Sequence, residues 1–136
     1  MRTLQIFIMT LIAISVTISC SSQSDNKNQE TVVSESEKVE VVYFHFTRRC
    51  ATCNAIEDIT REAINEMSGS EVSFADYNLD EEKGSEKAEK LGVSGQALLI
   101  VGSNKKINLT NQAFMNARSK PDELKSIIKE KIVSML

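Results

Sequence analysis

At 136 residues the chain is long enough for one domain and some flanking sequence. It is 41% hydrophobic and 26% charged, with no tryptophan and a single proline, the make-up of an ordinary globular domain. The net charge of −3, with basic residues scattered along the chain, argues against a nucleic-acid surface, and no nucleic-acid partner is expected.

Residues 1–19 stand apart from that globule. Arg2 is followed by an apolar run, residues 4–18, and no charge appears until Asp25. A short positive start, an apolar stretch and a small-residue exit are the layout of a secretory signal. The run is about 15 residues, short of the ~20 a spanning helix needs, so an uncleaved anchor is the alternative reading. The ending "TISC" resembles a bacterial lipobox, in which Cys20 becomes the lipidated first residue of the mature chain. Ser19 meets the small-residue requirement before the cysteine, while Thr17 stands where leucine is usual. Acyl chains contribute ~0.8 kcal/mol per buried methylene, and several hold a protein firmly at a membrane. The resemblance therefore implies a lipid-anchored protein of the bacterial cell envelope, facing the periplasm or the cell exterior.

Residues 20–38 are polar, with only Val32 and Val33 to bury, and read as a flexible tether carrying the lipidation candidate Cys20. Removal of residues 1–19 takes away only Arg2 among the charges, leaving 15 basic residues against 19 acidic, a net charge of −4. Three cysteines in an exported chain is an odd count, the usual sign of a free or intermolecular thiol. A lipidated Cys20 leaves one pair, Cys50 and Cys53.

From Val39 the pattern becomes dense, and residues 39–136 are read as one domain. "VEVVYFHF", residues 39–46, is β-branched and aromatic, as a strand buried on both faces should be. Past a turn at residues 47–49 come the cysteines. Ile56, Ile59, Ala63, Ile64 and Met67 then recur at helical spacing, with Gly69 as the stop. "EVSFADYNLD", residues 71–80, is a second strand, with Val72 and Phe74 inward and a break near Ala75. A short helix follows, burying Ala88 and Leu91 and capped by Gly92. "ALLIV", residues 97–101, and "KINL", residues 106–109, form a hairpin around a turn at residues 102–105. Residues 110–118 read as a helical connection. Pro121 opens a last helix with Leu124, Ile127, Ile128, Ile132 and Met135 on one side. The order is β-α-β-α-β-β-α. Crossover helices impose parallel pairing on the early strands and the tight turn antiparallel pairing on the last two, which predicts an α/β fold with one mixed four-stranded sheet between helices.

Strand, Cys50-Ala51-Thr52-Cys53, helix, strand, helix and then "LGVSGQALLIV" together resemble the thioredoxin superfamily over residues 39–136. Residues 43–57, "YFHFTRRCATCNAIE", with residues 93–115, "VSGQALLIVGSNKKINLTNQAFM", are more narrowly similar to the ArsF-like family. These are bacterial thioredoxin-fold proteins, often lipoproteins, which carry the label of nitroreductase subunits for nitrophenyl compounds. No flavin or nicotinamide site is visible and no glycine-rich phosphate loop, so no cofactor is expected.

Cysteines at i and i+3 at a helix start have Cα atoms ~5.5 Å apart, within disulfide range. Unpaired N–H groups and the helix dipole favour an anion at the first, and Arg48 and Arg49 precede it; all should lower its pKa below the ~8.5 of free cysteine. Cys50 is thus the expected nucleophile and Cys53, more buried, the resolving thiol. Three positions depart from thioredoxins. Arg49 replaces the aromatic before the first cysteine, and Phe44 the buried aspartate that shuttles a proton to the second. Ala97 takes the place of the cis-proline, in a substrate-facing loop represented here by Gly95, Gln96 and Ala97. A non-proline cis bond costs ~2.5–4 kcal/mol, so the bond before Ala97 should be trans.

His45, the only histidine, is either a satisfied side chain on the sheet face it shares with Tyr43 or a proton carrier near the cysteines. With Cys50 and Cys53 it makes three metal ligands where structural zinc takes four, and no metal is expected. Tyr77, Asn78 and Asp80 read as turn chemistry. The methionines beyond Met9 read as core packing on helical faces. Two function classes stay open: a membrane-tethered thiol–disulfide oxidoreductase acting as a monomer on protein thiols and disulfides, and a non-catalytic accessory or interaction subunit. A metal carrier is a third.

Overall fold

The structure is a computed structural model that describes residues 38–67, 69 and 71–136. The expected signal at residues 1–19, the lipidation candidate Cys20 and all but the last residue of the expected tether lie outside the described residues.

The dense apolar run from Val39 forms β1 (Val39–His45), in which only Glu40 is not fully buried. It is one of the two inner strands of a four-stranded sheet ordered β2-β1-β3-β4. β2 (Val72–Asn78) lies parallel to it, Val39 opposite Val72 and His45 opposite Asn78. β3 (Ala97–Val101) runs antiparallel on its other side, from Phe44 opposite Ala97 to Glu40 opposite Val101. β4 (Lys106–Asn108) closes the hairpin with β3. The sheet is mixed as expected, but only β1 and β2 are parallel: β3, though it follows a helix, runs antiparallel to β1.

Four helices cover the sheet. α1 (Ala51–Asn65), α3 (Thr110–Asn116) and α4 (Pro121–Val133) pack on the face presented by Val39, Val41, Tyr43, Leu98 and Ile100. α2 (Glu82–Lys90) packs on the opposite face, against Val42, Phe44 and Leu99. Gly92, at φ 66°, takes the left-handed conformation that ends α2, which a side chain would strain. Gly84 is required for a different reason: a Cβ there would lie 1.8 Å from the carbonyl oxygen of Asn78, so α2 sits directly on the end of β2.

The alternation along β2 breaks at Ala75 as expected, Phe74 and Ala75 both being half-buried between exposed Ser73 and Asp76, and the strand continues to Asn78. One detail differs from the sequence reading. The methionines are not all core: Met135 is buried and Met67 half-buried, but Met115 is 76% exposed on the two-turn α3.

Candidate active site

The segment between β1 and α1 brings the first cysteine to the surface. It is tied down from the end of β2: the Thr47 N–H donates to Asp80 Oδ2 at 2.8 Å and the Asn78 side-chain amide to Thr47 Oγ1 at 2.9 Å. The Leu79 N–H donates to the His45 carbonyl at 2.7 Å. Asn78 and Asp80, expected only to make a turn, thus also anchor the approach to Cys50. The Thr47 amide holds the Asp80 carboxyl below its ordinary range.

Cys50 is the N-cap of α1, with extended backbone at φ −89° and ψ 166°, and its sulfur accepts from the Cys53 N–H at 3.3 Å. A cap is usually an oxygen that satisfies a free N–H of the first turn. Here a sulfur has that position, so the group that satisfies the helix is also the group that can react. Cys50 is exposed and Cys53 is 2% exposed, their sulfurs 2.6 Å apart. No backbone movement is needed to join them. The Cys50 thiol is pushed below its ordinary value, first by hydrogen bonding with the Cys53 thiol and then by the Cys53 N–H, with smaller help from the N–H groups of Thr52 and Cys50 itself.

The arginines are placed differently from one another. Arg48 is exposed. Arg49 turns back beneath the loop, donating to Glu57 and to His45 Nε2, with Asp76 Oδ2 at 3.8 Å. Arg61 joins the same group, bonded to Glu57 at 2.8 Å and Asp76 at 3.0 Å. His45 is 6% exposed. Its Nε2 faces the Arg49 guanidinium, with Asp76 Oδ2 at 3.5 Å, and its Nδ1 lies 3.0 Å from the Phe46 carbonyl. Both ring nitrogens are therefore engaged by protein groups. Among the described residues no cluster of three or more His, Cys, Asp or Glu is arranged to hold a metal.

On the other side of the pair lies the loop before β3. The Gln96–Ala97 bond is trans, as are all peptide bonds among the described residues. Ala97 is 4% exposed and belongs to the core under α2, while Gln96 reaches the pair: its Nε2 and Oε1 are 3.6 and 3.8 Å from Cys53 Sγ. Gly95, Gln96 and Ala97 line one side of an open groove of about 500 Å3, faced by Asn108, Thr110 and Asn111.

The residue that sequence reasoning undervalued is Tyr43. It is fully buried below α1, and its hydroxyl donates to the Cys53 carbonyl at 3.2 Å. Burial and the neighbouring Cys53 push its phenol far up, so it remains a donor. A lone hydroxyl in the run "VEVVYFHF" was the available signal, since a buried tyrosine O–H needs a partner. Phe44, where thioredoxins have aspartate, points instead to the α2 face and stacks on Tyr77 at 5.7 Å. Glu57 and Asp76 could be gathered only by the fold. Glu57 is one turn beyond Cys53, and Asp76 pairs with Tyr43 through the parallel register.

A reactive-looking cysteine pair at the start of a helix, on a mixed sheet ordered β2-β1-β3-β4, defines a thioredoxin-fold protein. The chain belongs to the thioredoxin family, whose model, "Thioredoxin", matches residues 21–130. No curated protein matches the chain. Among solved structures, one titled "Structure of a malarial protein" overlaps 57% of this chain and 93% of its own, at 16% identity and a TM-score of 0.41. That overlap is too loose to assign a substrate or a role.

Proposed function

We propose that this protein is a thiol–disulfide oxidoreductase in which Cys50 is the nucleophile and Cys53 the resolving thiol. The observation that carries the reading is the exposed Cys50 sulfur at a helix N-cap, held 2.6 Å from a buried partner sulfur. In the reducing direction the Cys50 thiolate attacks a substrate disulfide, forming a mixed disulfide and releasing one substrate thiolate. Cys53 then gives up its proton and attacks the Cys50 sulfur, closing the intramolecular disulfide and releasing the second substrate thiol. Two electrons pass from the pair to the substrate, and the reverse sequence oxidises a dithiol. Partners are protein thiols and disulfides, and no cofactor takes part.

The exported, membrane-tethered setting belongs to this proposal. It rests on the apolar run of residues 4–18, the "TISC" sequence ending at Cys20 and the even cysteine count that lipidation of Cys20 leaves. An oxidising compartment suits a disulfide-forming pair. The ArsF-like kinship, carried by residues 43–57 and 93–115, fits such a lipoprotein, acting as a monomer at the bacterial envelope.

The test is covalent trapping. A Cys53→Ser variant cannot resolve its mixed disulfides and should accumulate partners on Cys50, released by dithiothreitol and absent from Cys50→Ser/Cys53→Ser. No trapped partner, with the double variant behaving as wild type in the cell, would leave the accessory-subunit reading in its place. For the tether, Cys20→Ala should appear in the soluble fraction or unprocessed; normal maturation with continued membrane retention would refute lipid anchoring.

A further inference from the structure

The buried cysteine has two uncharged partners that approach it from opposite sides. From the sheet, the Tyr43 hydroxyl lies 3.2 Å from the Cys53 carbonyl, which is its acceptor. From the loop, the Gln96 amide lies on Sγ with its nitrogen at 3.6 Å and its oxygen at 3.8 Å. The amide can accept from a thiol through Oε1 or donate to a thiolate through Nε2. The phenol has a comparable choice. Its present acceptor is a helix carbonyl that the helical ladder already serves, so it can turn to a charged sulfur without orphaning a buried group. Hydrogen bonds to an ionised acceptor are about twice as strong as neutral ones, which favours that turn once sulfur carries charge.

We propose that Tyr43 and Gln96 are positioning residues that stabilise Cys53 as the leaving thiolate of the pair. This rests on the redox reading above and gives it a direction. When a substrate thiolate attacks Cys50 of the disulfide form, the Cys50–Cys53 bond breaks, a Cys50–substrate bond forms, and the bonding electrons leave on Cys53. The two donors meet that charge. A second substrate thiolate then attacks the substrate sulfur and frees Cys50, leaving the substrate oxidised and the pair reduced. A better-stabilised leaving thiolate speeds the opening. The arrangement therefore suits the oxidation of substrate dithiols.

The other ionisable neighbours include Cys50, which shares hydrogen bonding with Cys53, Arg49, whose charge acts on the phenol, and His45, whose ring centroid lies 5.8 Å from that of Tyr43. Glu57, one turn along α1, is held by Arg49 and Arg61. These charges stay in place when the two donors are altered, so the donors can be tested separately.

The experiment follows Cys53 ionisation by the NMR shift of its Cβ in a Cys50→Ser background, with and without Tyr43→Phe or Gln96→Leu. The second substitution lies on the loop and leaves the core intact should the first disturb folding. Each is expected to make Cys53 ionise about tenfold less readily. In the intact pair, each should slow the opening of the Cys50–Cys53 disulfide by glutathione thiolate several-fold. Unchanged ionisation and an unchanged opening rate in both variants, with the wild-type pair exchanging normally, would overturn this inference and leave the redox reading standing. A wild-type pair that does not exchange with glutathione would overturn both.

Discussion

The two loops that flank the cysteine pair are held by different means. Residues 46–49, ahead of Cys50, are fastened by side chains: Asp80 and Asn78 grip Thr47, and Arg49 is bonded to Glu57 and His45. Residues 92–96, ahead of β3, depend on backbone shape, with Gly92 in the left-handed region and Gly95 open around its Cα. In the first loop polar contacts fix where Cys50 emerges. The second presents one side chain, Gln96, to the buried sulfur and otherwise forms the wall of a groove. Precision is concentrated on the side of Cys50, and adaptability is left to the side where a substrate would lie.

That contrast can be broken from either end. The largest effect is expected at Gly84, where α2 rests on the last residue of β2. Gly84→Ala forces the Asn78 backbone to move, and Asn78 also holds Thr47. Overpacking of this kind costs about 1–3 kcal/mol, so denaturant unfolding should show a loss in that range. The first loop should loosen with it. Gly92→Ala is expected to cost about 1–2 kcal/mol through its left-handed backbone, without disturbing the first loop. Amide exchange at Thr47 separates the two: faster in Gly84→Ala, unchanged in Gly92→Ala.

The smallest effect is expected at Asp80. Its carboxyl is held low by the Thr47 amide, so its contribution is present above the ordinary carboxylate range and is lost as the pH falls through its own lowered value. Asp80→Asn should speed Thr47 exchange at neutral pH with little change in global stability. It should also remove the acid-induced loosening of the loop that the wild type shows. Equal Thr47 exchange in the variant and wild type at neutral pH would mean that the loop is held by something else.

Much of this could be read from sequence, and the limits have physical causes. β1 was legible because an inner strand needs apolar residues on both faces, and α1 because its stripe follows the helical period. The cysteine pair was legible because its spacing lies within one helical turn. β2 was legible over residues 71–80, although as an edge strand it exposes Ser73 and Asp76. The group around Arg49 could not be seen at all: Glu57 and Asp76 are distant in sequence and meet only through the β1–β2 register. Tyr43 was noticed beside His45, but its link to Cys53 depends on how α1 lies over the sheet.

The helix start and the second cysteine make the Cys50 sulfur ionise more readily than a free thiol. The direct measurement is the pH dependence of iodoacetamide alkylation at Cys50 in the reduced protein, mapped by mass spectrometry. Half-maximal reactivity is expected clearly below the value of about 8.5 that marks free cysteine. An inflection at or above that value would contradict the account.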